Sequence, residues 1–410
     1  MRLNATIAGV GMTPFGKHLD RGLKSIGAEA VEAALADAGI EASQLEAAWV
    51  GNAAAGLITG QECIRGQVVL RSIGIGRIPV INVENACASA STALHQASAM
   101  VTAGLYDMVL ALGVEKLYHE DKRKSFSAFS GAVDVEAMQA IMEGLRKNAE
   151  SGGAKQAGSG AGQKRSMFMD IYAMAARSHM QRYGTTVEQF AAISAKNSFH
   201  GSMNPRAQFR QALSVEQVLA EPMIAEPLTR PMCSPIGDGA AAVVIVSEKK
   251  AREMGISNPV RVISSVLRSG WDHGGDEPGT ADVCSAEAYE EAGIGPEDLS
   301  VVECHDASAP AEVMAYEALG LCGKGEGGKL VESGTTRLGG HLPVNTSGGL
   351  LRKGHPVGAT GIAQIVELTE QLQGRSGDRQ VEGARIGLAH NGGGNIGPDA
   401  AAMCVTILTR

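Results

Sequence analysis

Two stretches of this chain repeat one another at a constant offset of 254 residues. ALADAGIEASQLEAAWVGNA (Ala34 to Ala53) aligns without gaps on AYEEAGIGPEDLSVVECHDA (Ala288 to Ala307). Ala34, Ala38, Gly39, Ile40, Leu45 and Ala53 face Ala288, Ala292, Gly293, Ile294, Leu299 and Ala307. Each copy reads as a helix, a glycine stop, a short loop and a buried strand. In both halves a long helix later ends at glycine (Gly104, Gly374), and a strand follows, DMVLALG in one and ARIGLAH in the other. Self-similarity of this kind predicts two related α/β halves with a duplication as their origin.

The remaining pattern fits that frame. Apolar runs (ATIAGVG, AAWVGNA, DMVLALGVE, AAAVVIVSE, VRVISSVL, SVVECHDA, ARIGLAHN, AAMCVTILT) alternate with helical patterns around 25–38, 61–72, 87–103, 282–292, 310–319 and 359–373. Strands alternating with helices predict sheets covered by helices. A length of 410 residues is long for one core. The chain divides into an N-terminal half (1–118 and 226–256), a C-terminal half (257–410) and a dissimilar insertion, 119–225. The insertion carries the charged HEDKRKS, the glycine-rich SGGAKQAGSGAGQKR and the helical MDIYAMAARSHMQRYG. It reads as a lid or cofactor-binding subdomain.

Composition excludes several classes. A net charge of −8 and a pI near 5.7 argue against nucleic-acid binding, which needs a basic face. No run approaches the roughly 18 apolar residues of a membrane helix, and MRLNATIAGVGMTPFG lacks a signal peptide's apolar core. The seven cysteines are scattered, with no CxxC pair, which fits a reducing, cytoplasmic compartment and argues against structural zinc.

Four loops at strand ends gather the residues able to do chemistry. The first, INVENACASAS, places Cys87 in the first turn of a helix whose buried face is Ala90, Ala93, Leu94, Ala97 and Val101. Free N–H groups and the helix dipole there predict an acidified thiol. The second, ECHDASAPAEVM, releases His305 and Asp306, with Ser308 as cap and Pro310 in the first helical turn. The third, GHPVGATG, sets His355 before Pro356; it lacks the Lys-Ser/Thr ending of a phosphate loop. The fourth, AHNGGGNIG, ends a strand with His390 and Asn391 against three glycines. The repeat makes the helix opened by Cys87 the counterpart of the one opened by RKGHPVGATG, so two halves packed face to face would bring these starts together. A helix-start cysteine, histidines and glycine N–H donors suit covalent acyl transfer. The Cys and His spacings match no metal-ligand pattern, and no metal is expected.

NACASAS, GDGAAAVVIVSE, GHPVGATG and NGGG, in this order, resemble the thiolase family over essentially the full chain. The resemblance implies a thiolase fold: two βαβαβαββ halves in a five-layer αβαβα arrangement with an inserted loop domain, assembled as a homodimer or homotetramer. It implies acyltransferase chemistry on 3-oxoacyl-CoA or acyl-CoA thioesters, with coenzyme A as part of the substrate and no permanently bound cofactor. Carried over, Cys87 is the nucleophile, His355 activates it, and the N–H groups of Cys87 and Gly392 form an oxyanion hole. Lys122, Arg123, Lys124, Lys164 and Arg165 of the insertion are the candidate coenzyme A contacts.

Two departures matter. Ordinary thiolases have Asn-Glu-Ala-Phe where this chain has His305-Asp306-Ala307-Ser308; His-Asp resembles the sterol-carrier-protein type, whose motif is His-Asp-Cys-Phe. The usual acid/base cysteine is replaced by His390, and the compensating cysteine of the sterol-carrier type by Ala307. Cys87, His305 and His355 are then similar to the Cys-His-His set of ketosynthases, with His390 as a candidate base. Two alternatives accompany this reading. One is a lipid-transfer-like carbon–carbon lyase or acyltransferase working with a small OB-fold subunit; the other is a non-catalytic acyl-CoA or lipid-binding protein.

Overall fold

The computed structural model describes residues 3–139, 165–274, 277–397 and 399–410. Its strands are β1 (Ala5–Met12), β2 (Ala47–Gly51), β3 (Val80–Val83), β4 (Met108–Glu115), β5 (Met223–Ala225), β6 (Leu228–Thr229), β7 (Gly239–Ser247), β8 (Val260–Ser269), β9 (Val301–Glu303), β10 (Ile386–Gly393) and β11 (Ala402–Thr409). The β5–β6 pair stands apart; the others join in the order β3-β2-β4-β7-β1-β8-β11-β10-β9. That order is one half-sheet written twice. In the first half, β2 runs parallel to β3 and β4, and β4, β7 and β1 follow as antiparallel neighbours. In the second, β9 runs parallel to β10, and β10, β11 and β8 follow antiparallel. An isolated parallel bridge from Val302 to Val344 takes the place that β3 holds in the first half. The half-sheets join where Ala5, Thr6 and Ile7 pair with Val262, Arg261 and Val260.

The repeat is visible residue for residue. Helix Leu23–Ala38 ends at left-handed Gly39 (φ 65°), then comes a 3₁₀ turn Ala42–Gln44 and β2. Helix Thr280–Ala292 ends at left-handed Gly293 (φ 70°), then comes a 3₁₀ turn Pro296–Asp298 and β9. Glycine serves both stops because a Cβ at positive φ is strained.

Strand alternation builds the layers. In β7, Ala241, Val243 and Ile245 face an inner core, while Ala240, Ala242, Val244 and Val246 face an outer one beneath helices Leu23–Ala38 and Arg65–Arg71. A strand buried on both faces needs an unbroken apolar run, which AAAVVIVS supplies. The inner core holds two central helices, Ser89–Thr102 and Thr360–Gln373, between the half-sheets. A second outer core packs helices Thr280–Ala292 and Ala309–Ala318 with helices of the region between β4 and β7. The central helix starts touch closely: a Cβ on Gly361 would stand 2.6 Å from the Ser91 nitrogen. Only glycine permits that approach.

Two sequence expectations shift. The pattern at 61–72 becomes a helix only at Arg65–Arg71. Cys87 lies in a 3₁₀ turn, Ala86–Ala88, ahead of the α-helix and not in its first turn.

Candidate active site

The four loops converge. Cys87, His305 and His355 bring one donor atom each to within 4.8 Å of the others. The His305 and His355 rings meet edge to face at 5.2 Å and 83°. The His305 backbone N–H donates to His390 Nδ1 at 3.3 Å, tying the fourth loop to the second. These four residues, with Gly392 and Gly394, line the polar end of a cavity of about 770 Å³. Ala86, one residue before Cys87, has φ 47°, a costly conformation for a residue with a Cβ. The glycines of NGGG make the fit possible: a Cβ on Gly393 would stand 2.1 Å from the Asn85 carbonyl oxygen and 2.5 Å from the Ala88 nitrogen.

Hydrogen bonds assign a polarity to each imidazole. Thr360 Oγ1 donates to the Pro356 carbonyl at 3.1 Å, so at 2.8 Å it accepts from His355 Nδ1–H. The remaining His355 nitrogen, Nε2, carries a lone pair. Ser91 Oγ lies 2.6 Å from Asn391 Oδ1 and 3.1 Å from the Ala88 carbonyl, and Asn391 Nδ2 donates to His305 Nδ1 at 2.9 Å. His305 Nε2 therefore carries a proton. His390 Nδ1 accepts from backbone, so its Nε2 also carries a proton, and that nitrogen is buried without a partner among the described residues. The site holds one acceptor imidazole and two donor imidazoles. An Nε2–H at His305 suits an oxyanion and not a metal ion, which needs the lone pair.

The thiol is not acidified. Burial, then the nearby Glu115 carboxylate, push Cys87 up to about 12, although the N–H groups of Gly394 and of Cys87 itself pull it down. Desolvation by the surrounding protein outweighs the dipole of a helix whose full α-turn begins two residues later, although Cys87 is only partly buried. Burial also lowers His355 to about 3 and His390 to about 4, and holds His305 well below the ordinary range. All four groups rest neutral near pH 7.

Comparison with known proteins settles the family. Residues 5–249 match the family described as thiolase, N-terminal domain, and residues 278–409 the one described as thiolase C-terminal domain-like. The chain belongs to the thiolase family. It is 39% identical over 402 residues to an acetyl-CoA acetyltransferase of Methanothermobacter thermautotrophicus, covering 97% of this chain and 98% of the relative. To the benzoylsuccinyl-CoA thiolase subunit BbsB of Thauera aromatica it is 38% identical over 397 residues, covering 95% and 94%. To human sterol carrier protein 2 it is 35% identical over 398 residues, 94% of this chain and 69% of the relative. Among solved structures, the Ltp2-ChsH2(DUF35) aldolase shares the fold at a TM-score of 0.75 and 24% identity, covering 98% and 97% of the two chains. Human mitochondrial 3-ketoacyl-CoA thiolase does so at 0.70 and 16%, covering 99% and 98%. The protein is a thiolase-like acyl-CoA acyltransferase of the two-half thiolase fold.

Two supporting residues of this thiolase, Glu115 and Glu303, escaped sequence reasoning, and Asp306, which the sequence placed at a strand end, acts beside them. Glu115, at the end of β4, is buried and accepts from Ala53 and Gly358 N–H at 3.1 and 3.0 Å, so one carboxylate ties the first half to the His355 loop. Burial pushes it up to about 7 against the pull of those donors. The only sequence signal was one acid closing an apolar strand. Glu303 accepts from Ser347 N and Oγ and from Lys353 Nζ. Asp306 accepts from Leu350 N at 2.6 Å and Leu351 N at 3.3 Å. Together they pin the segment leading into His355.

The five cations proposed for coenzyme A divide. Lys122 and Arg165 line the cavity; Arg165 also pairs with Asp170. Arg123 is bound to Asp121 on the surface, its side chain 77% exposed, and neither it nor Lys124 lines the cavity. Lys164 lies outside the described residues. Lys17, Arg230 and Arg352, which the sequence did not single out, line it as well.

Proposed function

We propose that this thiolase cleaves 3-oxoacyl-CoA thioesters with coenzyme A through an acyl-enzyme on Cys87. The observation that carries the reading is the approach of the Cys87, His305 and His355 donor atoms to within 4.8 Å of one another, with His355 Nδ1 occupied by Thr360 and its Nε2 left as the acceptor. A neutral thiol needs a base at the moment of attack. The Cys87 proton passes to His355 Nε2 as sulfur bonds to C3 of the substrate and the C3 oxygen takes up negative charge, held by the Cys87 and Gly392 N–H groups. Collapse breaks the C2–C3 bond, and the electron pair moves into the acetyl-CoA enolate, whose oxygen the Nε2–H groups of His305 and His390 are proposed to hold. Imidazolium at His355 returns the proton to C2, and acetyl-CoA leaves. Coenzyme A then gives its thiol proton to His355 as its sulfur attacks the acyl carbonyl, and Cys87 is regenerated as a thiol.

The region 119–225 serves as the lid and coenzyme A platform, with Lys122 and Arg165 toward the phosphates. Coenzyme A arrives as part of the substrate, and no resident cofactor takes part. The assembly is a homodimer or homotetramer acting in the cytoplasm, in lipid metabolism; the described residues contain no helix long and apolar enough to cross a membrane.

A second reading, a carbon–carbon lyase assisted by a small OB-fold subunit, is favoured by one observation: two of three imidazoles point donors, not bases, at the site. Mass spectrometry of the intact protein after incubation with acetoacetyl-CoA separates them. The thiolase reading expects one acyl adduct on Cys87, cleared by added coenzyme A and absent in Cys87→Ala. Cleavage of a 3-hydroxyacyl-CoA thioester to a carbonyl compound and acetyl-CoA, without adduct and without added coenzyme A, would establish the lyase.

A further inference from the structure

We infer that the acyl seat of this enzyme takes a flat, ring-bearing acyl group in preference to a straight alkyl chain of equal carbon number. The inference rests on the thiolase reading above and names its substrate class.

The walls of the cavity depart from the composition of the chain. The sequence holds 7 Phe, 6 Tyr and 2 Trp in 410 residues. Four of the seven phenylalanines, Phe126, Phe129, Phe168 and Phe209, line this cavity, and so do Tyr118 and Tyr172. Three of these rings form a ladder. Phe129 meets Phe168 edge to face at 6.3 Å and 64°, and Phe168 tilts over Tyr172 at 6.5 Å and 40°. The ladder shares a wall with the nucleophile: Tyr172 and Cys87 both line this cavity.

A different wall supplies width. Helix Ala309–Ala318 presents Ala311, Met314, Ala315 and Ala318 to the cavity, the i, i+3, i+4, i+7 face of one helix. Three side chains on that face stop at Cβ, and the fourth is a thioether, which packs well on ring edges. A straight chain would gain apolar contact there, but no face-to-edge contact. A planar ring gains both, because aromatic pairs add attraction beyond the area they bury.

The test uses the full-length protein and three ketone thioesters: acetoacetyl-CoA, straight-chain 3-oxononanoyl-CoA and 3-oxo-3-phenylpropanoyl-CoA. Thiolysis of the last forms benzoyl-CoA and acetyl-CoA from one added coenzyme A. The expected kcat/KM for the phenyl ketone exceeds that of the nine-carbon straight chain by about tenfold or more, a ratio worth about 1.4 kcal/mol. Phe168→Leu and Tyr172→Leu, which keep the wall apolar, should each lower that ratio several-fold, and Ala318→Phe should lower it by crowding the seat. A ratio at or below one in the unaltered protein overturns the inference and leaves the thiolase reading intact. Calorimetric binding of non-cleavable thioether analogues of the phenyl and nine-carbon substrates covers the remaining case. If no ketone is cleaved but the phenyl analogue binds about tenfold tighter, the seat stands and the thiolase reading falls; tighter binding of the straight chain overturns the seat.

Discussion

The imidazole of His355 is oriented by Thr360: Nδ1–H donates to the threonine hydroxyl at 2.8 Å, and the hydroxyl gives its own proton to the Pro356 carbonyl at 3.1 Å. Removing the hydroxyl frees the tautomer and leaves a buried N–H unpaired. Thr360→Val should slow Cys87 acylation by roughly 10²-fold, the lower end of what positioned base catalysis provides. Thr360→Ser should keep most of the rate. Single-turnover acylation is the measurement. Equal loss in both variants would mean that packing matters here and not the hydrogen bond.

The pH dependence of alkylation follows from the raised thiol. With Cys87 pushed up to about 12 and His355 lowered to about 3, no thiolate–imidazolium pair exists at rest. A group whose folded pKa lies far above the assay range gains anion steadily as pH rises. The iodoacetamide rate at Cys87 should therefore climb about tenfold per unit between roughly pH 6 and pH 9, without a plateau. Glu115 is the largest charge raising that thiol, so Glu115→Gln should shift the profile toward lower pH while slowing acyl transfer, because the Gly358 contact loosens. A plateau below about pH 8 in the unaltered protein would show a preformed ion pair and contradict the burial argument.

Lys122 and Arg165 line the cavity, whereas Arg123 and Lys124 do not. Lys122→Gln should raise KM for a coenzyme A thioester several-fold with kcat little changed, and the effect should fade with salt, as exposed charge attraction does. Arg123→Gln should leave KM unchanged, since its guanidinium is occupied by Asp121. Equal responses from both residues would indicate a diffuse field instead of contacts at the mouth.

Much of this architecture was legible because it is periodic. The offset between Gly39 and Gly293 carries the helix stop, the 3₁₀ turn and the buried strand of both halves. The chemistry-bearing loops were legible for a related reason: in α/β sheets, sites form at strand ends. What escaped depends on three-dimensional context. Glu115 acts through Gly358, 243 residues away, and the bond from Asn391, a residue the sequence does single out, to His305 spans 86, so no local pattern marks either contact. The protonation of Cys87 escaped because a dipole can be read from sequence but the depth of burial cannot.

The sequence resemblance sets His390 at the position of the thiolase acid/base cysteine and makes it a candidate base. Its surroundings favour a different role. Nδ1 accepts from the His305 N–H, so the buried Nε2, without a partner among the described residues, bears the proton. A nitrogen that already carries a proton cannot remove one, but it can hold an enolate oxygen. Glutamine distinguishes the two, because its amide donates a hydrogen bond and cannot act as a base. His390→Gln should retain deuterium exchange at C2 of acetyl-CoA within about tenfold, with His355 performing the transfer. His390→Ala, lacking the donor, should lose roughly 10²–10³-fold in thiolysis, as loss of an oxyanion donor does. Exchange abolished in His390→Gln, with Cys87 still acylating at its normal rate, would make His390 the base and assign it the opposite tautomer. Efficient acetoacetyl-CoA synthesis by the unaltered protein would show in addition that one acceptor imidazole is enough for both proton transfers.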